Sequence, residues 1–338
     1  MTAIEEATDQ TDPTRPALRL PARDIPVPTS VSPQAQAAIV RGMAAQATHY
    51  PEPDDLDGWR ALAAATDEAV RGLVGGTLPA FGGEVERIDL DGFPVHVITP
   101  TALAADDRRV YLDIHGGGWI SGKGEVCRAR GALTSMSVGA RVWAVDYRMP
   151  PDHRHPAALD DCLTAYQALL RERRPEEIVV GGSSAGGNLA AALMLRARDE
   201  RLPLPAGLVL STPATDLTEA GDTWQTNLGL DNVLTGSLTP AIRLYADGHD
   251  LRDPYLSPLF GDFTSGFPPT VLASGTRDLL LSDTVRMHRA LRAAGVEAEL
   301  HVFEAAGHGM FLGNTPEDDE KAREIRQFID RQWARTAG

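Results

Sequence analysis

The chain has 338 residues, 43% of them hydrophobic, enough for one large core or a core with a smaller added layer. Its formal net charge is −15 and no basic cluster stands out, which excludes nucleic acid and anionic membrane surfaces as natural partners. No uncharged apolar stretch reaches the roughly 18 residues that span a bilayer, and the acidic start shows no signal peptide. A soluble cytoplasmic protein is expected. The two cysteines, Cys127 and Cys162, both fall in segments that read as helices, which argues against a disulfide framework.

Residues 1–33 are rich in Pro, Asp, Thr and Arg, and the first dozen are expected to be disordered. From 33 to 47, Ala35, Ala38, Ile39 and Met43 recur at helical spacing. A second helix is expected over 56–74, with Trp59, Leu62, Ala63, Val70 and Leu73 on one face and Gly75-Gly76 as its stop. Both precede any strand, so they must pack over a core built later. Residues 1–80 thus read as an N-terminal extension and helical cap.

Strands are expected at 84–90 and 95–99, joined by the hairpin signal Asp91-Gly92. Strands at 110–115, 141–146, 178–182, 207–211, 271–275 and 299–303 then alternate with helices at 128–137, 156–173, 185–199, 282–294 and 316–333. That rhythm implies an α/β fold over 81–338: a mostly parallel sheet with helices on both faces. Residues 215–267 break the rhythm with Asp, Thr, Gly and Pro and one short helix at 239–246. They are expected beside the N-terminal helices as the other half of a cap.

The chemistry gathers at carboxyl ends of expected strands, where open α/β sheets bind ligands. Gly182-Ser183-Ser184-Ala185-Gly186 fits G-x-S-x-G between an apolar strand and an alanine-rich helix. Glycines two residues before and after Ser184 permit a turn sharp enough to present its hydroxyl. In a chain with 32 glycines the same pattern also fits a plain turn. His115-Gly116-Gly117-Gly118-Trp119 follows another strand, and its unhindered N–H groups suit an oxyanion. Gly116, Gly117 and Ala185 are the expected donors, with Trp119 and Ser183 as substrate-contacting neighbours. Asp278 follows a strand by a short loop, with Asp283 as the alternative acid. His308 lies between glycines past the last strand. The order Ser184, Asp278, His308 is that of α/β-hydrolases. His153 and His155 lack a carboxylate at metal-binding spacing, and neither metal nor cofactor is expected.

At these residues the chain resembles the hormone-sensitive-lipase-like (bacterial carboxylesterase) family of α/β-hydrolases. The resemblance rests on His115 to Trp119, Asp146 to His153, Pro156 to Asp161, Gly182 to Ala190, Asp278 and His308, and spans about residues 84–335. It implies an eight-stranded sheet with a two-part cap, a Ser184–Asp278–His308 triad, and hydrolysis of small-molecule esters with fairly short acyl chains. Ser183 stands where Asp or Thr is commoner, and Asp278-Leu279-Leu280 replaces the usual Asp-Pro-Leu. A lactone substrate on the same triad stays open. So does a non-catalytic binding protein, since plant gibberellin receptors resemble the family but lack the histidine. A homodimer also stays open.

Overall fold

The computed structural model describes residues 16–43, 47–313 and 315–335. The disorder expected in the first dozen residues lies outside them. Eight strands form one sheet: β1 (Glu84–Leu90), β2 (Phe93–Thr99), β3 (Val110–Ile114), β4 (Arg141–Val145), β5 (Ile178–Ser183), β6 (Gly207–Ser211), β7 (Thr270–Gly275) and β8 (Ala298–Phe303). The helices are α1 (Pro33–Gly42), α2 (Leu56–Val74), α3 (Thr77–Ala80), α4 (Glu125–Val138), α5 (Ala157–Glu172), α6 (Ala185–Asp199), α7 (Thr223–Thr226), α8 (Thr239–Ala246), α9 (Leu281–Ala293) and α10 (Pro316–Arg335).

Strand order is β1-β2-β4-β3-β5-β6-β7-β8. β1 and β2 form a hairpin, and β2 runs antiparallel to β4; the remaining pairings are parallel. The hairpin turn has positive φ at both Asp91 (45°) and Gly92 (95°), as a two-residue turn matched to strand twist requires. The central strands are buried on both faces, so successive residues serve two cores. Leu112, Val180, Leu210 and Leu272 face the layer of α5, α6 and α9. Their neighbours Tyr111, Val179, Val209 and Val271 face α4 and α10, where Phe328 and Ile329 lie.

The two N-terminal helices part company. The Ser32 hydroxyl caps α1, accepting from Ala35 N–H at 3.1 Å and donating to Glu317 at 2.8 Å. α1 then packs Ala35, Ala38 and Ile39 on Ala305, Ala306, Met310 and Phe311, the loop that carries His308. α2 instead buries Trp59 with Ile120 and with Ala241 and Leu244 of α8. Both meet the 215–267 segment, α2 through α8 and α1 at its last residue, Gly42, which lies against Asn232. Two short helices, α3 and α7, had no periodic signal: four residues make barely one turn.

Elements around the sheet's carboxyl edge approach closely. A Cβ on Gly186 would run into the Ile114 and His115 carbonyls, and one on Gly182 into the backbone of Gly186. Gly186→Ala should therefore force β3 and α6 apart. The expected loss is about 1–3 kcal/mol, read as a fall of several degrees in the thermal midpoint. An unchanged midpoint would contradict this packing.

Candidate active site

Ser184 sits between β5 and α6 with φ 58° and ψ −122°, a conformation that L-residues rarely adopt. Its N–H donates to Ser211 O at 2.9 Å, and its carbonyl accepts from Asn188 N–H at 3.0 Å and Ala214 N–H at 3.3 Å. The turn is held from β6, from the chain just past it and from the helix it starts.

His308 Nε2 lies 2.9 Å from Ser184 Oγ, and Nδ1 lies 3.1 Å from Asp278 Oδ1. With Nδ1–H donating to the carboxylate, Nε2 is free to accept from the hydroxyl. Asp278 is fully buried. Its carboxylate accepts from Ser274 Oγ–H at 2.7 Å and Leu280 N–H at 2.9 Å. The structure thus joins all three sequence-predicted residues. Asp283, the alternative acid, instead accepts from Asp216 N–H at 2.9 Å.

A second carboxylate, which sequence reasoning missed, organises this corner. Asp231 accepts from His308 N–H at 3.1 and 3.2 Å and from Leu279 N–H at 3.0 Å. It also takes Val233 N–H at 2.9 Å and Leu234 N–H at 3.1 Å. One side chain ties the acid loop, the histidine loop and its own turn together. Asn227 adds a bond from Nδ2 to the Asp278 carbonyl at 2.9 Å. No sequence signal marked either residue, because their partners lie some fifty to eighty positions away.

Burial pulls the His308 imidazole down. The charge and hydrogen bond of Asp278, with the charge of Asp231, outweigh it, and the net shift is upward. Asp231 itself is raised by burial and by Asp278, against the pull of His308.

The glycine loop lies beside Ser184. The N–H groups of Gly116, Gly117 and Ala185 donate to no acceptor among the described residues. The Gly116 carbonyl accepts from Arg130 Nη1 at 2.9 Å and lies 2.9 Å from His115 Nδ1. That carbonyl and the Gly117 N–H share one planar trans peptide, so fixing the first sets the direction of the second.

A cavity of about 510 Å³ opens over these groups, lined by Ser183, Ser184, Gly116, Gly117 and His308. Its walls are largely apolar: Leu62 and Val70 from α2, Val233, Leu234 and Leu238 from the 215–267 segment, and Leu133 and Leu312. Asp113 also reaches it; burial pushes that carboxyl up to about 7 against the pull of Arg130. Trp119 is a correction to the expectation that it contacts substrate. It is fully buried, stacked on Tyr245 at 5.2 Å, with Nε1–H directed at Asn188 Oδ1 3.4 Å away. A flat apolar ring fits better beneath the loop than in a solvent-filled mouth. The Asp161 of the Asp160-Asp161 pair is a buried brace, holding the Arg148 guanidinium at 2.7 and 3.1 Å.

The alpha/beta hydrolase fold family matches residues 111–312. An esterase of Acinetobacter venetianus is 31% identical over 229 residues, covering 66% of this chain and 75% of that protein. The crystal structure of an esterase, E25, superposes with a TM-score of 0.84 at 35% identity, covering 93% of this chain and 98% of that one. An esterase structure from the bacterial hormone-sensitive lipase family gives 0.74 at 28% identity, covering 89% and 99%. This chain belongs to the hormone-sensitive-lipase-like bacterial esterases of the α/β-hydrolase family.

Proposed function

We propose that the protein is a serine carboxylesterase for short-to-medium acyl esters, working through an acyl-serine intermediate. The observation that carries this is the continuous Ser184–His308–Asp278 chain at 2.9 and 3.1 Å beneath an apolar cavity. It also favours catalysis over passive binding, since a receptor has no need of an imidazole aimed at a serine.

Ser184 attacks the ester carbonyl as His308 takes its proton. Negative charge grows on the carbonyl oxygen and is received by the N–H groups of Gly116, Gly117 and Ala185. Such preorganised donors are worth roughly 10²–10³ each in kcat. His308 then protonates the departing alkoxide. Water activated by the same imidazole frees the acid. Asp278 keeps the tautomer and stabilises the imidazolium. No step in this sequence calls on a metal or cofactor.

The cap in this reading is α2 together with residues 215–267, which supply the cavity's apolar wall. Ser183 lines that wall beside the nucleophile and is assigned to substrate contact. Among the described residues, no helix is long and apolar enough to cross a membrane. We assign its action to dissolved esters and place it in the cytoplasm as part of this proposal.

Three measurements test this. Ser184→Ala should lower kcat on p-nitrophenyl butyrate by roughly 10⁴-fold or more; equal rates would end the assignment. Across p-nitrophenyl acetate, butyrate, hexanoate and decanoate, kcat/KM should climb by up to about fourfold per methylene, from about 0.8 kcal/mol of burial each. It should then fall once the chain outgrows the cavity. A flat series would mean the acyl group lies elsewhere.

The third concerns pH. The rate needs neutral His308, whose pKa lies above the ordinary imidazole value of about 6.5. Activity should therefore fall as pH drops through a midpoint above that value. Asp231→Asn removes one of the negative charges that favour the imidazolium, so that midpoint should move to lower pH. It also weakens the tie between the two loops, and kcat at the plateau should drop about tenfold, equal to about 1.4 kcal/mol. A lower kcat with an unmoved midpoint would reduce Asp231 to a purely structural part.

A further inference from the structure

Beneath the glycine loop lies a knot of buried polar side chains that the hydrolytic mechanism does not use. It contains His115 at the end of β3, Cys127 in the first turn of α4 and Asp146 just past β4, with exposures of 4%, 1% and 9%. One ligand atom from each lies within 4.8 Å of the other two. His96 from β2 stands behind, its Nε2 3.4 Å from Asp146 Oδ2.

The knot is short of partners. His115 Nδ1 has the Gly116 carbonyl at 2.9 Å, but Nε2 has no hydrogen-bond partner among the described residues, and neither does His96 Nδ1. Leaving a buried polar atom unsatisfied costs about 1–3 kcal/mol. Native interiors seldom tolerate it without an ordered water or an ion. The thiol of Cys127 is in no disulfide.

We propose that His115 Nε2, Cys127 Sγ and the Asp146 carboxylate form a structural site for one divalent transition-metal cation of the zinc or cobalt class. Imidazole, thiolate and carboxylate are the donor set such borderline ions take, at bond lengths of about 2.0–2.3 Å. A tetrahedral ion would draw the donors to separations of about 3.3–3.8 Å, a closure of at most about 1.0–1.5 Å from the 4.8 Å within which they already lie. Outer contacts of the usual kind are already in place. Nδ1–H on a backbone carbonyl leaves Nε2 as the ligand nitrogen, and Asp146 is steadied by Gly124 N–H at 3.0 Å and by His96. A thiolate and a carboxylate neutralise a doubly charged ion, which makes burial of the set tolerable. The fourth position falls to water. Such an ion would tie β3, β4 and α4 together at the root of the loop that carries Gly116 and Gly117. The sequence hid it, because its three residues lie on three separate elements with no metal-ligand spacing.

Cobalt titration decides the matter without reference to activity, and Ser184→Ala serves as well as the wild type. Chelator-treated protein titrated with Co²⁺ should bind one equivalent and develop a thiolate-to-cobalt charge-transfer band in the near ultraviolet. Cys127→Ser, checked for folding by circular dichroism, should lose the band and bind at least tenfold more weakly. Should that variant not fold, the wild-type band and its one-to-one endpoint decide. Absence of stoichiometric binding would leave only a buried water in the knot and overturn the proposal. Binding without a thiolate band, or equal binding by folded Cys127→Ser, would overturn it too.

Discussion

The positive φ of Ser184 is the constraint on which the site depends. Holding a serine at φ 58° and ψ −122° costs of the order of 1–3 kcal/mol, and such a conformation persists only where the surroundings over-determine it. Here they do. The residue's N–H is taken by β6, its carbonyl by α6 and the chain after β6, and glycines on either side let β3 and α6 close in. Relaxing the strain would swing the hydroxyl away from His308 and the α6 N-terminus away from the reacting carbonyl together. The proposed nucleophile and the Ala185 N–H are therefore set by one turn, backed by the hydrophobic cluster that holds Ala185, Leu189 and Ala190.

The acid and the imidazole lie on loops past their strands, and the sheet reaches the acid through Ser274 of β7, bonded to the Asp278 carboxylate. The 215–267 segment completes their placement. Asn227 and Asp231 reach back from it to the Asp278 and His308 loops, while Val233, Leu234 and Leu238 of the same segment wall the cavity. Substrate fit and triad geometry are mechanically linked as a result. A change that reshapes the wall near Val233 pulls on the carboxylate two residues earlier. Sequence variation meant to alter acyl preference will carry a penalty in kcat unless Asp231 stays in place.

What was legible in the sequence was local. Strand and helix periods, the Asp91-Gly92 turn, the glycine pattern around Ser184 and the glycine-flanked His308 are all written within a few residues. Most helices and strands fall within one to three residues of expectation. The triad was legible because each member follows a strand of a parallel sheet, and topology brings such ends together. The remainder depends on tertiary partners. Asp231 is one acid among 47 Asp and Glu until the chain folds it against Leu279 and His308. Trp119 reads like a site residue from its neighbours, yet Tyr245, more than a hundred positions on, draws it into the core. The separation of α1 from α2 was hidden for the same reason: both are amphipathic, and amphipathicity does not say which surface is met.

Two carboxylates near one imidazole present a chemical choice. Asp278 alone orients His308 and stabilises its charged form. Adding Asp231, bonded to the backbone of the same residue, makes the imidazole a stronger base, so it takes the serine proton more readily and returns it less readily. For an ester this bias is favourable. The departing alkoxide is far more basic than imidazole, so the return of the proton remains downhill even from a strengthened base. Removing the proton from a hydroxyl is the harder transfer, and it occurs twice per turnover, once at Ser184 and once at water. A site arranged this way suits alcohol leaving groups, and in the proposed mechanism the strengthened imidazole shifts the expected working range toward higher pH.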